Sequence, residues 1–462
     1  MRRSVSALAA LAGATALALF VGVAPASAAR PLALGFADPV YGSSARDIWL
    51  TRSRQVGASF VVVGVSWATI TPQRATLAEL ADPGRFEANW APTDALVRSA
   101  RARGLTVVLS LAVAPRWAEG SGRPANARPG VWKPDAKAFA AFARGAARRY
   151  SGAYGGLPAV RHWQIWTEPN LATHLLPQFV GRRAASPEIY RGLLNGAYDA
   201  IKSVRRANVV LTAGTAPFGG TVPGIPRLRP AAFVRDLLCL RGARLQLARC
   251  PRPARFDVLA HHPYSTGAPT RHALNADDVS IADIGKLTRL LRRAEATGRV
   301  FPRTRKPVWA TEVSYDSKPP DPRGVPSRTH ARWLEQTLYL LWRQGVSAVA
   351  WFQVGDEAPG GSYDSTYQSG VYLRDGTPKP ALAAYRFPLV GQRASRASVQ
   401  VWGRAPVAGV VALQRRAGTR WLTFRTLRAA AGSTFVASVA ASGPITLRAV
   451  VGAQTSLAWA QG

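Results

Sequence analysis

Eight short apolar runs, each followed by a longer stretch with helical spacing, occupy residues 31–387 and leave few folds open. The runs fall at 32–36, 59–65, 105–111, 160–166, 209–213, 256–260, 307–310 and 347–352. Amphipathic stretches lie between or after them at 45–55, 93–103, 135–150, 187–206, 231–240, 279–297 and 328–344, and 380–386 supplies a short closing helix. The runs are near-continuous rather than alternating, which suits parallel strands covered on both faces. Eight such units in roughly 360 residues predict an α/β chain folded as a (β/α)8 barrel, also called a TIM barrel, with enlarged loops. An open doubly wound sheet would carry a glycine-rich turn after its first strand, and here Ala37-Asp38-Pro39-Val40-Tyr41 follows instead.

Past Pro388 the texture changes. Short β-type runs at 399–402, 407–414, 421–425, 434–439 and 445–450 are separated by Gly, Ser and Ala turns with no helical period. They predict a small C-terminal antiparallel β domain, sandwich-like, over 389–462. Its Trp402, Trp421 and Phe424 are either core residues or a sugar-binding face. The barrel then spans 29–388. Residues 1–28 read as a secretory signal peptide: Arg2 and Arg3, an apolar run from Leu8 to Val23, then Ala26-Ser27-Ala28. No later segment is apolar for long enough to span a bilayer, so a secreted, extracellular protein is expected. Cys239 and Cys250 are the only cysteines, and outside the cell they are expected to form a disulfide.

Lys+Arg 60 against Asp+Glu 25 gives a formal charge of +35, but no dense basic block stands out. A nucleic-acid arm would cluster that charge, so nucleic acid is not an expected partner. The spread charge favours anionic surroundings such as acidic polysaccharide or cell wall. Six histidines without ligand spacing argue against a metal site. There is no GxSxG elbow and no P-loop, and no cofactor is expected.

Because acids are scarce, two of them stand out. One apolar run ends in Trp166-Thr167-Glu168-Pro169-Asn170, and another in Thr311-Glu312. By strand count these are the fourth and seventh, on roughly opposite sides of an eight-stranded barrel, so their carboxylates can face across its mouth. Facing carboxylates are what glycosidic cleavage requires: one donates a proton to the leaving oxygen, the other attacks the anomeric carbon or activates water.

On these residues the sequence resembles the clan A retaining glycoside hydrolases, in particular the cellulase-like and xylosidase-like (β/α)8 families. Trp166 to Asn170 is similar to their WNEPN motif, and Thr311-Glu312 to their strand-seven nucleophile. His262-Pro263-Tyr264 is similar to their HPY element, Val65-Ser66-Trp67 with Ile70-Thr71-Pro72 to their second-strand pattern, and Pro115-Arg116-Trp117-Ala118 to their third-strand end. The resemblance implies Glu168 as acid/base, Glu312 as nucleophile, and Tyr264 as the residue that orients Glu312. It departs at Thr167, where the family has an asparagine contacting the sugar 2-hydroxyl. A hydroxyl cannot reproduce an amide's donor and acceptor together.

Further substrate contacts are expected from His262, from Trp351 as a platform for a sugar ring, and from Trp67 and Trp117 as walls. His261 is expected to point away from its neighbour, since adjacent strand residues alternate faces. Asp356 or Glu357 after the eighth run could compete as an acid. The expected activity is hydrolysis of a β-linked oligo- or polysaccharide with retention. The alternative is a carbohydrate- or wall-binding protein on a glycosidase-like barrel, with Thr167 marking the loss of turnover.

Overall fold

The computed structural model describes residues 30–222, 225–250 and 252–462. The signal peptide expected at 1–28 lies outside them. Eight parallel strands form one sheet. They are β1 (Ala33–Ala37), β2 (Phe60–Ser66), β3 (Thr106–Ala112), β4 (His162–Ile165), β5 (Val209–Leu211), β6 (Leu259–His261), β7 (Val308–Val313) and β8 (Val346–Trp351). β1 pairs with both β8 and β2. The last gap is closed by bridges Leu211–Val258 and Thr215–His261, so the sheet is a barrel.

Helices α1 (Arg46–Gln55), α2 (Glu87–Ala102), α3 (Ala136–Arg149), α4 (Ser186–Val204), α5 (Pro230–Leu237), α6 (Ile284–Ala296), α7 (Ser327–Arg343) and α8 (Pro380–Arg386) follow the strands in turn. The amphipathic pattern of α4 is visible in the sequence. In α4, Tyr190, Leu193, Leu194, Ala197 and Ile201 recur at helical spacing and are buried, with Pro187 in its first turn.

Inside the barrel, Ala37, Phe60, Val62, Val108, Leu211, Val258, Ala348 and Ala350 form their own apolar cluster. Phe60 and His162 pack on Trp309, 5.6 Å between ring centres in each case. The interior is thus filled from below, and any hollow must open above this plug. No helix of the described residues is long and apolar enough to cross a membrane.

Six longer strands follow: β9 (Leu389–Ser395), β10 (Ser398–Arg404), β11 (Gly409–Ala417), β12 (Arg420–Ala429), β13 (Thr434–Ala440) and β14 (Ile445–Val451). They pair antiparallel in two sheets around a core of Val399, Val401, Leu413, Phe435 and Leu447. Trp402 is fully buried against Tyr339 and Trp342 of α7. The Arg332 guanidinium lies 3.5 Å over Trp459. Arg404 donates to the Leu32 carbonyl at 3.0 Å and Thr434 to that of Arg30 at 2.7 Å. The β domain therefore grips the entry to β1 as well as α7. Phe424 packs on the domain's own core and Trp421 lies beneath Arg448, so of the three aromatics noted in the sequence Trp402 is firmly a packing residue. Cys239 and Cys250 are joined, with Cα atoms 5.6 Å apart.

Candidate active site

Strand alternation alone would send Glu312 outward, because Trp309 packs inside the barrel and the parity of β7 continues from there. The register shows how this is avoided. Ala310 pairs with Val349 and Val313 with Trp351, so β7 spends three residues where β8 spends two. One extra residue flips the alternation and turns Glu312 into the mouth. At the end of β4 the turn is made by positive φ at Trp166 (70°) and Glu168 (38°). Trp166 goes to the outer core against Phe139, its indole bonded to the His174 carbonyl, and Glu168 goes inward. Asn170 fixes the following loop with bonds to Ala216 and Leu228.

The two carboxylates meet at one imidazole. His262 Nδ1 lies 3.0 Å from Glu168 Oε1 and 3.7 Å from Glu312 Oε2. Those legs laid end to end bound the oxygen separation at about 7 Å, which takes in the ~5–5.5 Å of a retaining pair and little of the ~6.5–9.5 Å range of inverting ones. Tyr264 donates its hydroxyl to Glu312 at 3.4 Å. His174 Nδ1 stands 3.9 Å from the other oxygen of Glu168. Among the described residues no arginine or lysine lies within ion-pair distance of either glutamate.

Burial raises the Glu168 carboxyl, but the His262 hydrogen bond and charge outweigh it, and the net shift is downward. Glu312 is raised, first by burial and then by the charge of Glu168. Burial opposes a charge on His262, yet the two glutamates together lift it above the ordinary histidine value. The three groups are close enough for their charges to couple, and His262 Nδ1 lies within hydrogen-bond distance of Glu168.

A cavity of about 460 Å³ opens above the barrel plug, lined by Asp38, Gly64, Ser110, Thr167, Glu312 and Phe352 among others. A second, of about 360 Å³, shares Ala112, Val113 and Thr167 with it and continues past Trp166 and His174, on the Glu168 side. A larger hollow, about 640 Å³, lies aside between Tyr315, Asp316 and Tyr367 and is lined by neither glutamate. Chemistry rather than size therefore marks the site.

Several expected residues are elsewhere. Trp351 is fully buried, its indole bonded to the Ser369 carbonyl and its ring beside His330 of α7. Alternation along β8 puts Ala350 and Phe352 inside instead, and it is Phe352 that lines the cavity. Trp67 is fully buried among Trp117, Phe139 and Phe142. Trp117 donates to the Thr71 carbonyl and packs on the same core. Neither lines the cavity. His262 is fully buried and meets the carboxylates rather than open space. His261 points the other way, to Thr215 and the Val279 carbonyl. Asp356 is bound to Lys379 at 2.6 Å, and Glu357 is held by Gln353 and Tyr367.

Asp38, Phe352 and His174 are site residues that the sequence reading missed. Asp38 accepts the backbone N–H groups of Val40, Val354 and Gly355, and burial raises its carboxyl to about 7.

A barrel of this topology, with a glutamate at the end of β4 and another at the end of β7, has the fold of clan A glycoside hydrolases. No protein-family model matches the chain, and no curated protein matches it in sequence. Solved structures do. A family 39 glycoside hydrolase from the gut symbiont Bacteroides cellulosilyticus WH2 superposes with a TM-score of 0.54 at 16% identity, over 89% of this chain and 81% of that one. A glucosidase from Croceicoccus marinus gives 0.52 at 14%, over 93% and 97%. The GH39 enzyme from Xanthomonas axonopodis pv. citri gives 0.52 at 16%, over 91% and 93%.

The imidazole between the acids makes a pH prediction. His262→Gln removes the positive charge that pulls both carboxyls down. Both pKa values then rise, so the acidic and alkaline limbs of kcat/KM move to higher pH together. At pH 5 the variant should lose about tenfold or more in kcat/KM. A profile that only scales down, without moving, would show His262 to be structural filler.

Proposed function

We propose that the chain is a glycosidase that hydrolyses a β-linked saccharide with retention of configuration, and that it works outside the cell. The observation that carries this is the placement of Glu168 after β4 and Glu312 at the end of β7, both within 4 Å of His262 Nδ1, with Glu312 and Thr167 lining the cavity beside them. The fold neighbours named above include a family 39 glycoside hydrolase and a glucosidase.

In the first step Glu312 attacks the anomeric carbon as the bond to the leaving oxygen breaks. A proton passes along the His262–Glu168 hydrogen bond and through Glu168 to that oxygen, and the alcohol leaves through the cavity beside His174. Glu312 is then esterified and Glu168 carries the charge. In the second step Glu168 takes a proton from water, the hydroxide replaces Glu312 at the anomeric carbon, and the sugar leaves with two inversions, hence net retention. Tyr264 holds the nucleophilic oxygen by its hydrogen bond, and Thr167 offers a single hydroxyl where an amide would offer two functions. Phe352 supplies an aromatic face.

The stereochemistry can be read directly. With an aryl β-glycoside that turns over, proton NMR in the first minutes should show the β-hemiacetal before mutarotation. A first-formed α-hemiacetal would overturn the double displacement. If a broad panel of aryl β-glycosides and polysaccharides gives no product, the chain is a binding protein instead.

A further inference from the structure

The cavity beside Glu312 is unusual on the side formed by β2, β3 and β4. Register places Gly64 beside Ser110, and Ser110 beside Gln164, in one layer facing the mouth. Gly64 sits mid-strand yet is exposed, and a methyl group built on it would meet nothing within 4 Å. The hollow therefore reaches down to the backbone of β2. Ala37, Val62 and Ala112 line it nearby, and none offers a side-chain hydrogen bond.

Its polar floor is a single pair. Gln164 Nε2 is 3.3 Å from Ser110 Oγ, while Gln164 Oε1 is buried with no partner. Such an orphaned acceptor is costly and asks for a donor. Asp38 cannot serve the recess broadly, because its oxygens already hold three backbone N–H groups.

A plain sugar hydroxyl fits this space poorly. It would leave water to stand against glycine, alanine and valine, without the paired donors and acceptors that usually fix it. An acylamino group fits on both counts. Its methyl can fill the volume over Gly64, and its N–H can supply the donor that Gln164 Oε1 lacks. The position on the sugar follows from chemistry. The recess is bounded by Glu312 and Thr167, so it adjoins the anomeric carbon. Of the two ring atoms bonded to that carbon, only C2 carries a substituent.

Resting on the glycosidase reading above, we propose that the sugar bound between Glu168 and Glu312 is a 2-acylamino sugar, its acyl group seated over Gly64 and its amide N–H on Gln164. The test uses the full chain and two matched pairs of 4-nitrophenyl β-glycosides, glucoside with N-acetylglucosaminide and galactoside with N-acetylgalactosaminide. In at least one pair the acetamido member should be cleaved with a kcat/KM at least tenfold higher. Gly64→Val, which fills the recess, should reduce that ratio at least tenfold. Cleavage of the 2-hydroxy members with no acetamido preference overturns the proposal and leaves the glycosidase reading standing.

If no glycoside is cleaved, the glycosidase reading fails, and binding decides the recess by itself. Saturation-transfer NMR on the wild-type protein with free N-acetylglucosamine and N-acetylgalactosamine should then place the strongest contact on the acetyl methyl. Absence of transfer to that methyl from both sugars overturns the proposal. The same measurement decides if Gly64→Val does not fold.

Discussion

Glu312→Ala is expected to reduce kcat by about 10⁴-fold or more on any glycoside the wild type cleaves, with the fold unchanged. The side chain accepts one long hydrogen bond from Tyr264 and makes no ion pair with arginine or lysine among the described residues, so its loss removes chemistry rather than a structural clamp. Truncation also leaves a gap of about the size of a small anion on the nucleophile's face. Azide entering there should attack the anomeric carbon once, from the opposite side, and yield the α-glycosyl azide. Glu168→Ala should behave differently. Substrates with a good leaving group need no proton, so glycosylation survives while the second step stalls, and azide should restore turnover with the β-glycosyl azide as product. Opposite anomers from the two variants distinguish the roles. The same anomer from both would mean that the two carboxylates do not stand on opposite faces of the sugar.

Gly214→Ala is expected to disable the site without touching a reactive atom. A Cβ there would lie 2.0 Å from His262 Nε2 and 2.2 Å from its Cδ2. The ring is fully buried, and relief of the clash is expected to tilt it and carry Nδ1 away from the glutamates. Overpacking of this kind costs about 1–3 kcal/mol. With the His262–Glu168 hydrogen bond displaced, kcat/KM should fall about 10²-fold, by analogy with the loss of one general acid–base contribution. The control is the pair Gly214→Ala with His262→Ala. Removing the ring removes the clash, so the double variant should regain denaturant stability relative to Gly214→Ala and match the activity of His262→Ala alone. Additive losses would show that Gly214 acts through something other than the imidazole.

The barrel and its two glutamates were legible because they follow from local pattern. Near-continuous apolar runs mark parallel strands, and an acid directly after such a run lies at the carboxyl end of its strand. His262 against His261 was legible for the same reason, since period two separates neighbours. That rule also separates Phe352 from Trp351, but a tryptophan invites the platform reading and its indole partner, the Ser369 carbonyl, is eighteen residues away. Trp67 and Trp117 misled because a pattern places them near strand ends without saying which layer they enter. Two features were not legible at all. The extra residue in β7 appears only against its pairing partner, and without it parity would have turned Glu312 outward. The reason for Gly214 is a ring forty-eight positions later, a contact that exists only once β5 and β6 lie side by side.

The hold of Tyr385, Arg404 and Thr434 on the first strand and its entry has a consequence for biogenesis. Leu32 and Arg30 receive their hydrogen bonds from Arg404 and Thr434, and Gly35 from Tyr385. A ribosome delivers those donors 350 to 404 residues after the acceptors, which is roughly 20–80 s later at about 5–20 residues per second. Strand one must therefore wait, partly unsatisfied, for the tail to arrive. A nascent polypeptide truncated in its final segment would be left with a frayed seam at the point where the cylinder closes.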